Sequence, residues 1–171
     1  LSSKDGLSKK IIVQDILSGL QEGGLTKTTA SKYLSNWASK EKNCFKVLNT
    51  AFAQNGIYID VPDGLVVDRP VHILNIAKEE EEAIVISPQK IIVTGENSKL
   101  TVIETYHHVA NSQQTYFTNT VTQLVLKRNA IVDHYKIQDE DENAFFINNT
   151  EIEQLRDSTY SSYAIDLGGK L

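Results

Sequence analysis

Apolar residues along the chain follow two regimes that meet near Gly56. Upstream, Ile12, Val13, Ile16, Leu17 and Leu20 recur at the spacing of one helical face, and Gly23 with Gly24 stops the run. Ala30, Tyr33, Leu34, Trp37 and Ala38 repeat that spacing. A third set, Phe45, Leu48, Ala51 and Phe52, follows Asn43, a candidate N-cap, and Gly56 closes it. Helices this short gain their stability from packing. The reading is a helical N-terminal region over residues 1–56, with Tyr33 and Trp37 as core or interface aromatics.

Downstream the period becomes two. Ile57, Ile59 and Val61 alternate with Tyr58 and Asp60, and Pro62, Asp63 and Gly64 form a turn signal. Short runs rich in Val, Ile, Thr and Tyr follow to the end with no helical pattern between them, so residues 57–171 read as an all-β body.

That body repeats itself. Residues 95–106 (GENSKLTVIETY), 127–138 (KRNAIVDHYKIQ) and 155–166 (LRDSTYSSYAID) align on Asn97, Asn129 and Asp157, which lie 32 and 28 residues apart. A small residue follows each (Ser98, Ala130, Ser158), and two places on stands a larger one (Leu100, Val132, Tyr160). Asn and Asp tolerate left-handed backbone and turn the chain, while the small residue lets successive turns sit close together. Strands such as 91–94 and 100–104 then form two sides of a coil, and stacked coils share one apolar column. A β-helix follows. Its open end would leave strand edges unpaired, so the isolated segment is expected to form a homodimer through that end or to aggregate.

Charge narrows the function. Residues 1–56 carry eight Lys or Arg against four Asp or Glu, and residues 57–171 carry nine against eighteen, which gives +4 and −9. An acidic body argues against a nucleic-acid partner. No apolar run is long enough to span a bilayer, and the first residues lack a secretory signal pattern, so no membrane role is expected. Cys44 is the one cysteine, which rules out an intrachain disulfide and fits a reducing compartment; beside Phe45 it reads as a small buried hydrophobe.

Complete catalytic motifs are missing from the sequence. Neither a Walker loop nor a Gly-x-Ser-x-Gly elbow occurs, and Gly169-Lys170-Leu171 is only a near miss to the former. His107 and His108 are adjacent on a strand and point to opposite faces; His72 and His134 read as hydrogen-bonding strand residues. The charge runs 78–82 (KEEEE) and 139–143 (DEDEN) read as solvated turns, the second lacking the spacing of a calcium loop. Glu104, Asp133 and Asp166 are the acids that a polysaccharide-binding or cleaving β-helix would use, whereas Glu151 and Glu153 form one polar face of a strand.

Residues 48–61 (LNTAFAQNGIYIDV), 69–76 (RPVHILNI), 91–104 (IIVTGENSKLTVIE), 132–138 (VDHYKIQ) and 158–171 (STYSSYAIDLGGKL) resemble, in matching order, the SufD branch of the SufB/SufD family of iron–sulfur cluster assembly proteins. The resemblance implies a mainly β fold, a right-handed parallel β-helix preceded by a small α-helical head. It implies a non-enzymatic, cytoplasmic member of the SufBCD complex that acts with SufB and the SufC ATPase. The cluster would be handled by the complex, with no cofactor bound by this segment alone. The family pattern continues past Gly168-Gly169-Lys170-Leu171 with further coils and a helical segment. No catalytic, cofactor-binding or metal-ligating residue is therefore assigned here. The alternatives are the sister scaffold SufB and the polysaccharide-active β-helix.

Overall fold

The computed structural model describes residues 10–16, 43–53, 56–78, 84–108 and 115–168. Its elements are β1 (Ile12–Asp15), α1 (Cys44–Phe52), β2 (Gly56–Val61), β3 (Val71–Ala77), β4 (Val85–Ile86), β5 (Gln89–Thr94), β6 (Lys99–His108), β7 (Tyr116–Leu126), β8 (Ile131–Asp139), β9 (Ala144–Gln154) and β10 (Thr159–Asp166). Two sheets result. One carries β1, β2, β5, β7 and β9 in sequence, with β4 in line with β5 along the first part of β7; the other runs β3, β6, β8, β10. Every pairing among β2 to β10 is parallel. The chain therefore passes from the first sheet to the second and back, and the pairs β2/β3, β5/β6, β7/β8 and β9/β10 stack as successive coils. This is the β-solenoid expected from the repeat, completing about three turns.

The turns between the two sheets stack as predicted, with one addition. Asn97, Asn129 and Asp157 all have left-handed backbone, φ 54°, 57° and 61°. Gly64, φ 72°, occupies the equivalent place in the first coil, because Val61, Thr94, Leu126 and Gln154 are register partners three residues earlier. Asn129 Nδ2 donates to Asn97 Oδ1 at 2.8 Å, and the backbone N–H of Asn97 and of Asn129 reaches a carbonyl of the next turn. Ser98 and Ala130 are buried against these turns, as the small-residue pattern requires. Inside, Val67, Leu100 and Val132 continue one column beneath Ile59, Ile92, Leu124 and Leu126. Interdigitated aliphatic side chains of this kind supply the main driving force for stacking.

The N-terminal part differs from its periodicity. Ile12–Asp15 is a strand, antiparallel to β2 and covering its free edge. Ile11 and Val13 face the solenoid interior, whereas Ile12 and Ile16 pack on its outer face with Tyr58, Ile91, Val93 and Val125. A short run of β-branched residues fits helical and strand templates alike, and here an unpaired sheet edge decides the matter. The run 30–38 and Trp37 lie outside the described residues.

Helix α1 begins where expected. Asn43 caps it, accepting from the N–H of Phe45 at 3.0 Å and of Lys46 at 3.4 Å. Its seated face is polar, however: Asn49 is fully buried and donates to the carbonyls of Asn119, at 2.6 Å, and Pro88, at 3.3 Å. Phe45 and Phe52 are exposed, and so is Cys44, contrary to its reading as a buried hydrophobe. Asn119 returns a bond to the Phe45 carbonyl, while Asn43 and Lys46 reach Asn149 and Glu151 on β9. The helix is thus strapped across three coils by hydrogen bonds.

A polar column as candidate functional site

Alternation along each strand sends every second side chain inward. Near the stacked turns those residues are aliphatic, but farther along the same strands they become polar. Lys90 on β5, Glu104 and Tyr106 on β6, Thr120 and Thr122 on β7, and His134 and Lys136 on β8 meet inside the solenoid. Lys90, Glu104 and His134 are each no more than 1% exposed.

These groups satisfy one another. Lys90 Nζ donates to Tyr106 Oη and Thr120 Oγ1, both at 2.7 Å, and lies 3.5 Å from Glu104 Oε2. Tyr106 donates to Glu104 Oε2 at 2.6 Å, and Thr122 donates to Oε1 at 3.2 Å. His134 Nε2 lies 2.9 Å from Glu104 Oε1, and its Nδ1 lies 2.9 Å from Tyr160 Oη. Lys136 Nζ donates to Thr150 on β9. An ionised carboxylate this deep persists only with a full set of donors and a counter-charge.

Burial alone would raise the Glu104 carboxyl. The Lys90 ammonium, then His134 and then Tyr106, override burial and hold it below the ordinary carboxylate range. Burial lowers Lys90, against the pull of Glu104, and burial with the Glu104 charge pushes Tyr106 well up. Lys136 is lowered by burial too, partly offset by Glu104. The column is thus a carboxylate–ammonium pair bridged by hydroxyls, suited to holding charge and passing protons rather than to nucleophilic attack.

A second group of ionisable side chains closes the polar end of the interior. His108 Nδ1 lies 2.7 Å from Asp141 Oδ2, its ring stacks on Tyr116, and Thr118 donates to Glu140 Oε1 at 2.8 Å. Glu140 is buried, so residues 139–143 are not wholly a solvated turn. Burial raises its carboxyl to about 7, the Thr118 bond and His108 opposing and Asp141 adding to the rise.

The acids considered for carbohydrate chemistry do not converge. Glu104 is inside and neutralised by Lys90, whereas Asp133, between buried Val132 and His134, faces outward. His107 and His108 do point to opposite faces, His107 pairing outside with Asp139 at 3.2 Å. Among the described residues no three His, Cys, Asp or Glu side chains are placed to hold a metal ion. Nor is any described helix long and apolar enough to cross a membrane.

The sequence reading of His134 and Glu104 missed their partnership. A coil period of 32 residues carries Glu104 to Lys136, its register partner on β8, and His134 is the previous inward residue. Applying the turn spacing to the polar positions finds them.

Comparison with known proteins fits this architecture. The family model described as SUF system FeS cluster assembly, SufBD core domain, matches residues 75–171. The chain belongs to the SufB/SufD family. A second model, the SufBD protein N-terminal region, matches residues 3–73. An iron–sulfur cluster assembly SufBD family protein of Synechocystis sp. is 29% identical over 133 residues, covering 74% of this chain and 29% of the relative. Protein ABCI7, chloroplastic, of Arabidopsis thaliana is 25% identical over 147 residues, 82% of this chain and 30% of that protein. The present SufB/SufD chain thus spans less than a third of the length of these curated relatives.

Proposed function

We propose that this chain is the N-terminal part of a SufD-type subunit, a non-enzymatic, cytoplasmic member of a SufBCD complex that works with SufB and with the SufC ATPase. Its iron–sulfur cluster is cargo of the complex, and this segment binds no cofactor by itself. The observation that carries the reading is the family match to both core and N-terminal region on a parallel β-solenoid. We assign residues 1–56 to an N-terminal region, whose strand β1 edges the first sheet, and 57–171 to the core region. Two features favour SufD over its sister: the ordered SufD-like motifs, and a lone cysteine, Cys44, standing exposed on the head away from the interior polar groups.

The test is co-expression of the full-length parent with its SufB and SufC, purifying through a tag on the parent. A stable complex is expected, with ATPase activity confined to SufC. Failure to recover either partner overturns the proposal. Anaerobic reconstitution of the parent alone separates the sisters, because a stable stoichiometric cluster without partners would assign it as SufB.

A further inference from the structure

Helix α1 turns its polar side to the solenoid. Asn49 holds the Asn119 and Pro88 carbonyls, Asn119 holds the Phe45 carbonyl, and Asn43 and Lys46 reach Asn149 and Glu151. The apolar side chains face outward instead, with Val47 51% and Phe52 59% exposed. A helix on a protein surface ordinarily lays its apolar stripe on the core. Here specific bonds to neighbouring coils fix the opposite orientation, so the outward apolar face is built in.

That face continues onto the sheet. Helix α1 crosses from β9 over β7 to the start of β5, and the outward residues Val85, Phe117 and Phe145 form a row across the strands beside it, because they are register partners. Phe45 joins helix and row, its ring edge-on to Phe117 with centroids 6.4 Å apart. Val85 is 54% exposed, and Phe145 is exposed as well. A coil stacked after the fourth would pair with β9 and β10 at their edges and would leave the outward side of α1 open. Contiguous exposed apolar surface of this kind marks interaction sites.

Charge selects the occupant. Glu142 and Glu153 are exposed beside this surface and Glu151 is part-exposed, whereas Lys46 is already paired with Glu151 at 3.3 Å. In a two-fold contact the same patch meets itself, so a second copy would bring its own carboxylates against these. The complementary occupant is apolar with basic flanks.

We propose that the outward face of α1, together with Val85, Phe117 and Phe145, is a docking surface for a basic amphipathic helix of a partner protein. The helix lies in the corner beside α1. Its aliphatic side chains meet Phe45, Phe52 and Val85, and its Lys or Arg residues face Glu142, Glu151 and Glu153. The apolar anchors supply the affinity, and the charges set orientation and encounter rate. The surface is independent of the assignment between SufD and SufB.

The experiment titrates the full-length parent into a fluorescent Leu/Lys helical peptide of about 18 residues, five turns, and into a Leu/Glu peptide with the same apolar spacing. By anisotropy the Leu/Lys peptide binds about tenfold more tightly or better, and rising salt weakens it. Val47→Ser with Phe52→Ser, at exposed positions outside the polar seat, weakens it by roughly tenfold, and Glu153→Lys weakens it by a smaller factor. Tyr135→Ser, on the outer face of the other sheet, leaves it unchanged. Equal affinity for the two peptides, or unchanged affinity in both surface variants, would overturn the proposal. Sedimentation and hydroxyl-radical footprinting of the parent address the other occupants. A dimer that Phe52→Ser dissolves, or Val47 and Phe52 already protected in a monomer, would assign the surface to a second copy or to the parent itself and overturn the proposal equally. Amide exchange in α1 verifies that the helix persists, and if the Ser variant loses it, Glu153→Lys decides.

Discussion

Replacing Glu104 by Gln keeps the shape of the side chain and removes its charge. Lys90, 1% exposed, then has hydroxyl partners but no counter-ion. Two bounds set the cost. Breaking one side of a buried pair typically destabilises by about 3–5 kcal/mol. Alternatively, Lys90 gives up its proton on folding; a free lysine near pKa ~10.4 does so at pH 7 for about 4.6 kcal/mol, at 1.36 kcal/mol per unit. The estimates agree, and the second predicts a signature. In Glu104→Gln the unfolded chain binds one more proton than the folded one, so the variant regains about 1.4 kcal/mol of stability per pH unit between about pH 7 and 9. The parent, whose Lys90 stays paired, shows no such slope from this group. Urea unfolding at three pH values measures it, and Lys90→Met with Glu104→Gln completes the cycle by removing both charges. A loss under about 1 kcal/mol in Glu104→Gln, a flat pH profile, or a double variant no more stable than the single one would refute the idea that Lys90 depends on Glu104.

Three other expectations test separate parts of the molecule. Glu140, raised by burial from 4.5 to about 7, binds more protons folded than unfolded, so its contribution is full below pH 4.5 and is lost as pH rises to about 7; the window amounts to about 3 kcal/mol, and thermal unfolding of Glu140→Gln should lack that decline. Asn129→Ala forfeits both the left-handed preference and the bond to Asn97, for roughly 1–2 kcal/mol by urea denaturation; Asn129→Gly, which keeps the conformation, should cost less, and equal losses would deny the backbone argument. Asn43→Ala removes the cap of α1 and its bond to Asn149, costing about 1 kcal/mol and raising amide exchange in α1 first; uniform change across the solenoid would contradict the local role.

The solenoid was legible because its turns are a local signal. Asn97, Asn129 and Asp157 adopt the left-handed conformation that their side chains favour, and the small residues after them are buried or partly buried. Gly64 reads as a turn residue but not as a member of the repeat, because glycine reaches the same φ without resembling asparagine, and Asp68-Arg69-Pro70 disguises the strand that follows. Ile12–Asp15 misled because four residues cannot distinguish a period of 3.6 from one of 2 when a sheet edge awaits. Cys44 was misread and Asn49 passed over for a common reason: α1 is seated largely by side-chain bonds from Asn49 to the carbonyls of Asn119 and Pro88. Glu104 and His134 were read only as strand residues, with no face assigned, and alternation alone does not say which coils bring them together. That depends on register, a property of the stack rather than of any single strand.

The most direct test of the assembly role is made in a strain lacking the gene for the full-length parent, by assaying the activity of its iron–sulfur enzymes relative to their protein levels. The account predicts that specific activity falls while the polypeptides remain, and that the parent restores it. Normal iron–sulfur enzyme activity in the deletion strain would contradict it.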